Sequence, residues 1–296
     1  MKRFHRSCRR LCILAILLTA LILLWQANVL VDLNSRHAIL LDAQSGQVLA
    51  RKRADERVPP ASLTKIMTVL LAIEAAPDLE EPVTLPEEVF PALYGENASM
   101  AGFVPGETVT VRDLLYGAIL PSGAECCETL ARLVSGSEEA FAALMNQKAK
   151  ELGMKNTHFA NATGLTDPEH YSSARDLAVL LREALHNETF RTVFTTEHYT
   201  STATAQHPEG LSMCSTLLGR LDGTELENGK ILGGKTGYTQ AAGLCLASFA
   251  EVNGKEYLLV TLGAPGDHAT EQTNIQDAVQ VYRRLEKKSG NAPFCF

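Results

Sequence analysis

Ser62 and Lys65 place a hydroxyl and an amine three residues apart at the start of a long apolar run. Pro60 precedes them, at a position where a helix tolerates a missing N–H. The run leaves almost no polar face, so we predict a buried helix from about residue 60 to 76. Residues three apart share a helix face, and the first turn offers unpaired N–H groups and the positive end of the dipole. This set of groups favours an enzyme that acylates its own serine.

Two further short motifs carry polar groups later in the chain. The first is Ser122-Gly123-Ala124, which begins where Pro121-Ser122-Gly123 interrupts a predicted helix. The second is Lys235-Thr236-Gly237, which follows two glycines on a predicted strand. Each motif alone has a plain structural explanation, because a serine can cap a helix and a lysine can end a solvated strand. The occurrence of all three in this order favours a catalytic interpretation.

Together, the three motifs resemble those of the serine penicillin-recognising enzymes. Longer stretches are similar to the low-molecular-mass D-alanyl-D-alanine carboxypeptidases, peptidase family S11. The resemblance extends over about residues 36–285 and rests on the stretches 60–68, 105–116, 161–165, 170–177 and 234–239. It implies a β-lactamase/transpeptidase-like fold.

The resemblance also implies a role for each polar group of the motifs. Ser62 would be the nucleophile, Lys65 the proton acceptor and Ser122 the proton shuttle to the leaving amine. To act as a base near neutral pH, the Lys65 amine must lose about three pKa units, or about 4 kcal/mol. Burial and the second cation, Lys235, would both lower its pKa. The implied substrate-binding residues are Lys235, Thr236, Gly237 and Thr239, and the implied oxyanion hole consists of the backbone N–H groups of Ser62 and Tyr238.

The activity implied by the resemblance is removal of the terminal D-alanine from peptidoglycan stem peptides that end in D-Ala-D-Ala. It would proceed through an acyl-enzyme on Ser62, and β-lactam antibiotics would acylate the same serine as inhibitors. Neither a metal nor a cofactor is implied. Two alternatives remain open, namely a β-lactamase of the same superfamily and a non-catalytic domain that binds the cell wall or β-lactams.

The sequence departs from the family pattern at two positions. The second motif usually ends in asparagine, whose amide contacts the substrate, and here it ends in Ala124. Relatives often have an arginine after the last strand to help hold the substrate carboxylate, whereas this chain offers only His268 there. Residues 167–169 faintly resemble the loop with the deacylating glutamate of class A β-lactamases. Because their surroundings follow the carboxypeptidase pattern, we interpret them, with Asn161 and His170, as structural.

Apolar periodicity and turn residues predict an α/β (α+β) fold. A hairpin is expected at 37–51, and strands are expected at 230–238, 244–252 and 256–263, the last two joined by Asn253-Gly254. Helices are expected at 109–120, 124–133, 137–152, 173–185 and 267–287. We therefore predict one antiparallel sheet of about five strands flanked by helices, with a helical lobe inserted at about 77–205.

The first 31 residues are typical of an export segment. Five cations precede Leu11, and no charged residue occurs from Leu11 to Val31, a run of roughly 30 Å as a helix. We predict an uncleaved membrane anchor (1–31), a serine peptidase domain (32–290) outside the cytoplasm of a bacterial cell, and a short tail (291–296). A cleaved signal peptide and a secreted domain are the alternative. Without the five cations, 22 basic residues face 34 acidic ones, which argues against nucleic acid as a partner.

Seven cysteines are scattered along the chain without the spacing of a zinc site. Cys126 and Cys127 are adjacent and point to different sides of a helix, so they cannot easily bridge each other. We expect most of the cysteines to be small buried apolar residues.

Overall fold

The computed structural model describes residues 29–223 and 225–289. Their five-stranded antiparallel sheet has the spatial order β2-β1-β9-β8-β7, and two small antiparallel pairs, β3–β4 and β5–β6, lie outside it. The strands are β1 (His37–Asp42), β2 (Val48–Lys52), β3 (Pro82–Thr84), β4 (Thr108–Thr110), β5 (His198–Thr200), β6 (Ser212–Cys214), β7 (Gly229–Thr239), β8 (Gly243–Val252) and β9 (Lys255–Ala264). β7 is an edge strand of the large sheet, so the backbone groups along its outer edge are not paired with another strand of that sheet.

Side chains alternate between the two faces of the large sheet, and both faces are buried. In β1, Ile39 and Leu41 belong to one apolar cluster, and Ala38 and Leu40 belong to the other. The first cluster joins the sheet to the helices that precede β7, and the second joins it to the C-terminal helix. Covering on both faces explains the nearly continuous apolar sequence of β8 and β9.

The helices stand mostly between β2 and β7 in the chain. They are α1 (Lys65–Ala75), α2 (Phe90–Gly95), α3 (Val111–Ile119), α4 (Ala124–Ser135), α5 (Glu138–Glu151), α6 (Ala174–Ala184), α7 (Glu188–Thr195) and α8 (Thr273–Ser289), with 3₁₀ turns at Ala61–Thr64, Glu87–Val89 and Leu218–Arg220. The predicted fold class, an α/β (α+β) arrangement of a five-stranded antiparallel sheet with flanking helices, is confirmed.

Local sequence signals place several boundaries where they were predicted. Thr110 caps α3, because its hydroxyl accepts the N–H of Asp113 and the Asp113 carboxylate accepts the N–H of Thr110. The Asn253-Gly254 turn joins β8 to β9 with φ of +52° and +73°, as a two-residue hairpin requires. The helical segment is interrupted between α3 and α4, and Ser122 lies in this interruption with a φ of +71°.

Two predicted helices begin elsewhere than expected. The helix predicted from residue 60 starts as a 3₁₀ turn, because Ala61 adopts φ +48° and the Leu63 N–H donates to Pro60 O at 3.2 Å. The helix predicted from residue 267 begins at Thr273 instead, because Asp267 Oδ1 accepts the N–H groups of residues 269 and 270 and closes a turn of its own. The short elements α2, α7 and β3 to β6 were not predicted.

The predicted N-terminal segment lies largely outside the described residues, since only 29–31 of residues 1–31 belong to them, and the predicted tail at 291–296 lies wholly outside. Within the described part of the chain, no helix combines the length and apolar character needed to cross a membrane.

Candidate active site

The predicted nucleophile and its partner meet at the start of the buried α1 helix. Lys65 Nζ lies 3.0 Å from Ser62 Oγ, and the Lys65 side chain is only 2% exposed. The 3₁₀ turn holds the two residues on one face. Thr64 Oγ1 donates to Ala61 O at 2.8 Å and thereby stabilises the turn in which Ser62 lies.

The surroundings of Lys65 favour its neutral amine. Burial lowers the pKa of Lys65 below its usual value, and the nearby Cys127 and Glu125 oppose this shift. Nζ also donates to Thr163 O at 2.6 Å. A neutral amine can keep that donated bond while its lone pair accepts the hydroxyl proton of Ser62. The direction of this pKa shift agrees with the one predicted from burial.

The carbonyl of Thr163 is presented by a tight turn at 161–165. Asn161 Oδ1 accepts the N–H groups of Thr163 (3.2 Å) and Gly164 (2.7 Å), which is the turn-forming use of asparagine. Gly164 has φ +83°, and a Cβ at this position would lie 2.0 Å from Ala61 O. The turn therefore packs directly against the turn that carries Ser62. The structural interpretation of Asn161 agrees with these contacts.

His170 links the segment just before the 161–165 turn to the turn that carries Ser62, and it is not among the residues that line the cleft. Its Nδ1 accepts the Ala160 N–H at 3.0 Å, which places the proton on Nε2, 2.7 Å from Thr64 Oγ1. Burial lowers the pKa of His170 to about 4. His170 is thus a neutral packing residue, in agreement with its interpretation from sequence.

Strand β7 forms the opposite wall and brings the third motif to Ser62. A Cβ on Gly237 would lie 3.0 Å from Ser62 N, so a side chain there would push the strand and the turn apart by a few tenths of an ångström. Lys235 is fully buried, and its Nζ donates to Thr236 O at 2.9 Å. Burial and the nearby Lys65 lower the pKa of Lys235 well below its usual value. The Thr236 hydroxyl donates to the Thr216 hydroxyl at 2.6 Å.

A narrow cleft runs between the two walls and brings several predicted residues together. Ser62, Ser122, Thr236, Gly237 and Tyr238 all line it. The other lining residues are Ser99, Pro121, Thr216, Arg220, Leu244, His268, Gln272 and Asn274.

Three predicted residues are not among those lining the cleft. Lys65 and Lys235 are buried beside it. Thr239 lies at the end of β7, where its hydroxyl accepts the N–H of Ala242 at 3.1 Å in the turn to β8. The structure therefore places Thr236 in the lining of the cleft and Thr239 in the turn to β8.

Several polar residues that line the cleft lie outside the motifs and were not predicted. Thr216, Arg220, Gln272 and Asn274 belong to the loop before β7 and to the start of α8. They carry no pattern that distinguishes them from surface residues. The one available signal was that relatives often have an arginine after the last strand, whereas this chain has His268 there.

Ala124, the residue that replaces the usual asparagine, is 1% exposed, and its N–H donates to Ser99 O at 2.8 Å. The next residue, Glu125, is also buried, and its Oε1 accepts the N–H groups of Ala101 (2.7 Å) and Gly102 (3.0 Å). Burial raises the pKa of Glu125. Backbone and carboxylate contacts thus fix the segment that carries Ser99 against the second motif.

Most of the described cysteines behave as small apolar residues. Cys126, Cys127 and Cys245 are buried free thiols, as expected, and Cys214 is exposed. Burial raises the pKa of both Cys127 and Cys245 to about 12. These thiols are therefore protonated at neutral pH and poor nucleophiles.

Sequence comparison gives matches over most of the chain. The family model of the D-alanyl-D-alanine carboxypeptidases, peptidase S11, matches residues 25–266. The D-alanyl-D-alanine carboxypeptidase DacF of Bacillus subtilis is 36% identical over 251 residues, which cover 82% of this chain and 61% of the relative. DacC of Escherichia coli is 36% identical over 246 residues, covering 80% and 58%. The chain spans about 60% of the length of these two curated relatives.

Solved structures share the fold. The DD-transpeptidase of Streptomyces K15 superposes with a TM-score of 0.75 at 29% identity, covering 86% of this chain and 99% of that one. The D-alanyl-D-alanine carboxypeptidase of Mycobacterium tuberculosis superposes with a TM-score of 0.74 at 27% identity, covering 88% and 93%. The recognition made from the motifs is confirmed: this chain belongs to the D-alanyl-D-alanine carboxypeptidase family of serine peptidases, S11.

Proposed function

We propose that the protein is a serine-type D-Ala-D-Ala carboxypeptidase that removes the terminal D-alanine from peptidoglycan stem peptides. The observation that carries the proposal is the 3.0 Å contact between Ser62 Oγ and the buried Lys65 amine, opposite the edge strand that presents Thr236 and Gly237. Family membership supports the same activity.

In the acylation step, Ser62 Oγ attacks the carbonyl carbon of the penultimate D-alanine. The neutral Lys65 amine accepts the hydroxyl proton, because burial has lowered its pKa. Ser122 lines the cleft with Ser62 and passes a proton to the nitrogen of the leaving D-alanine. The C–N bond breaks, free D-alanine departs, and the remaining peptide is an ester on Ser62. Water then hydrolyses the ester.

The developing negative charge on the carbonyl oxygen needs donors at the junction of the two walls. We assign these donors to the backbone N–H groups of Ser62 and Tyr238. Support comes from the close approach of β7 to Ser62 N at Gly237, one residue before Tyr238. One such donor is typically worth ~3–4 kcal/mol in the transition state.

The cleft favours a carboxypeptidase over a β-lactamase. Class A β-lactamases use a glutamate to activate the water that hydrolyses the β-lactam ester, and in the part of the chain that the structure describes no aspartate or glutamate lines the cleft. Glu169, in the loop with a faint β-lactamase resemblance, is exposed and is not among the lining residues. We therefore expect β-lactams to acylate Ser62 and to remain bound as inhibitors.

The proposed substrate lies outside the cytoplasm, and the cationic and apolar N-terminal sequence supports export of the domain. We propose a membrane-anchored domain on the outer side of a bacterial cell membrane, with secretion as the outcome if the segment is cleaved. The mass of the mature protein tests this directly, since cleavage removes roughly the first 30 residues.

The deciding experiment measures D-alanine release from diacetyl-L-lysyl-D-alanyl-D-alanine together with labelling by a fluorescent penicillin. Ser62→Ala should abolish both. Ser45→Ala, an exposed serine in the β1–β2 loop, serves as the matched control and should change neither. Labelling that persists in Ser62→Ala rejects the nucleophile. Fast release of hydrolysed penicillin favours the β-lactamase, and peptide binding without D-alanine release favours a non-catalytic domain.

A further inference from the structure

The predicted carboxylate-binding cation, Lys235, does not present its charge to the cleft. It is fully buried, its amine is engaged with Thr236 O, and its pKa is lowered well below the usual value by burial and by Lys65. A peptide that ends in a carboxylate loses its hydration on entering the cleft, so it needs a charged donor at the surface it meets.

Arg220 supplies such a donor from an unexpected element. Among the described residues that line the cleft, the basic side chains are Arg220 and His268. A guanidinium stays charged at every physiological pH and offers parallel donors that match a carboxylate. The His268 ring packs edge-on against Tyr238, with 4.9 Å between ring centroids. Arg220 is therefore the permanent cation of the lining.

The 3₁₀ turn that carries Arg220 is fixed in place. Ser215 Oγ accepts the Leu218 N–H at 3.2 Å and Ser215 O accepts the Gly219 N–H at 3.0 Å, which ties the turn together. Leu217 and Leu218 are buried in the apolar cluster beneath α8. The backbone of Arg220 is thus held next to β7, and only its side chain reaches outward.

Arg220 shares the cleft with other polar groups that can donate hydrogen bonds to an anion. Its Nη1 donates to Gln272 Oε1 at 3.0 Å, a neutral partner that orients the guanidinium without neutralising it. Thr216 and Thr236 share one hydrogen bond between their hydroxyls, so one of their two protons remains for a ligand. Arg220, Thr216, Thr236 and Gln272 all line the same cleft as Ser62.

We propose that Arg220 binds the terminal carboxylate of the peptide and the carboxylate of β-lactams, in the role that relatives give to an arginine after the last strand. The inference rests on the proposed function for the identity of the peptide. It names a specificity residue that the motifs do not contain.

The experiment compares D-alanine release from diacetyl-L-lysyl-D-alanyl-D-alanine with release of D-alaninamide from its C-terminal amide. Arg220→Gln should lower kcat/KM for the free acid by about 10- to 100-fold, the typical cost of a lost hydrogen bond to a charged group. It should leave kcat/KM for the amide unchanged. Arg220→Lys keeps the charge but loses the fork, so it should lie between the two.

Arg283→Gln is the matched control, since Arg283 is an exposed arginine of α8 that is not among the cleft residues. It should leave the preference for the acid intact. An equal loss on acid and amide in Arg220→Gln, or an unchanged preference for the acid, overturns the assignment.

A wild-type protein that releases no D-alanine rejects the proposed function but not the role of Arg220. The rate of acylation by benzylpenicillin and by its methyl ester then decides. Slower acylation of Arg220→Gln by the free acid alone supports the assignment, and equal slowing by both contradicts it. A protein that penicillin does not acylate at all overturns both proposals.

Discussion

Gly164→Ala tests whether the turn at 161–165 positions the nucleophile. The added Cβ would lie 2.0 Å from Ala61 O and 2.4 Å from Ala61 C, whereas ordinary contacts begin at 3.4 Å. The two backbones must therefore separate by about 1.4 Å. Ser62 follows Ala61 directly, and the Lys65 amine donates a hydrogen bond to Thr163 O in the 161–165 turn, which the substitution would displace. A misplacement of about 1 Å at a reacting centre can cost about 100-fold in rate.

The same substitution also introduces backbone strain, which must be separated from the clash. Alanine at a left-handed φ costs about 1–2 kcal/mol. Gly136→Ala is the matched control, because Gly136 has φ +81°, close to the +83° of Gly164, and its Cβ would meet nothing within 4 Å. Both variants should lose similar stability from strain, and only Gly164→Ala should lose about 100-fold in the rate of acylation.

The assay is the second-order rate constant for labelling by a fluorescent penicillin, measured below the melting temperature of both variants. Circular dichroism establishes that each variant is folded at that temperature. If folded Gly164→Ala acylates within about threefold of Gly136→Ala, the turn does not set the position of Ser62, and this explanation of the site is wrong.

Three further perturbations probe individual groups. Lys65→Met should lower the acylation rate by about 10²–10⁴-fold while leaving a folded protein by thermal melting, and a loss below tenfold would contradict its role as base. Burial lowers the pKa of His170 to about 4, so the free energy of unfolding should fall by up to about 3 kcal/mol as pH drops from about 6.5 to 4. In urea melts, His170→Asn should reduce this loss of stability at low pH. An unchanged loss would refute the role of His170 as a buried neutral residue. Burial and the neighbouring Glu138 raise the pKa of Glu128 to about 8, so the free energy of unfolding should fall as pH rises from about 4.5 to 8. The stability of Glu128→Gln relative to the native protein should therefore increase by more than about 1 kcal/mol between pH 4.5 and pH 8. A stability difference that is the same at both pH values would exclude the raised pKa of Glu128.

Much of the fold could be predicted from local patterns in the sequence. The apolar runs of β8 and β9, the Asn-Gly turn between them and the capping box of α3 each fix an element through contacts between near neighbours. The start of α1 was harder to predict, because the left-handed Ala61 contacts Gly164 and Thr64. Gly164 lies about a hundred residues away in the sequence. Such long-range constraints leave no periodic signal.

The residues of the candidate site also fall into those that local sequence predicts and those that depend on long-range packing. Ser62, Lys65 and the strand motif could be identified because each occurs within a short stretch whose spacing is set by one turn or one strand. The carbonyl of Thr163 and the side chain of Arg220 could not, since they depend on where separate loops pack. The substrate-binding role of Thr239 stays a prediction, because its hydroxyl accepts the Ala242 N–H in the β7–β8 turn and keeps its own proton to donate.

The burial of residues 29–33 decides where the domain can be shortened. Val29, Leu30 and Leu33 belong to the apolar cluster beneath α8, and Arg284 donates to Val29 O at 3.0 Å and to Val31 O at 2.6 Å. A recombinant protein that starts at residue 35 lacks all three side chains, each worth about 1.5–3 kcal/mol when fully buried, and leaves the Arg284 donors without these acceptors. Expression for biochemistry should therefore begin at or before residue 29, whatever the fate of the preceding leader in the cell.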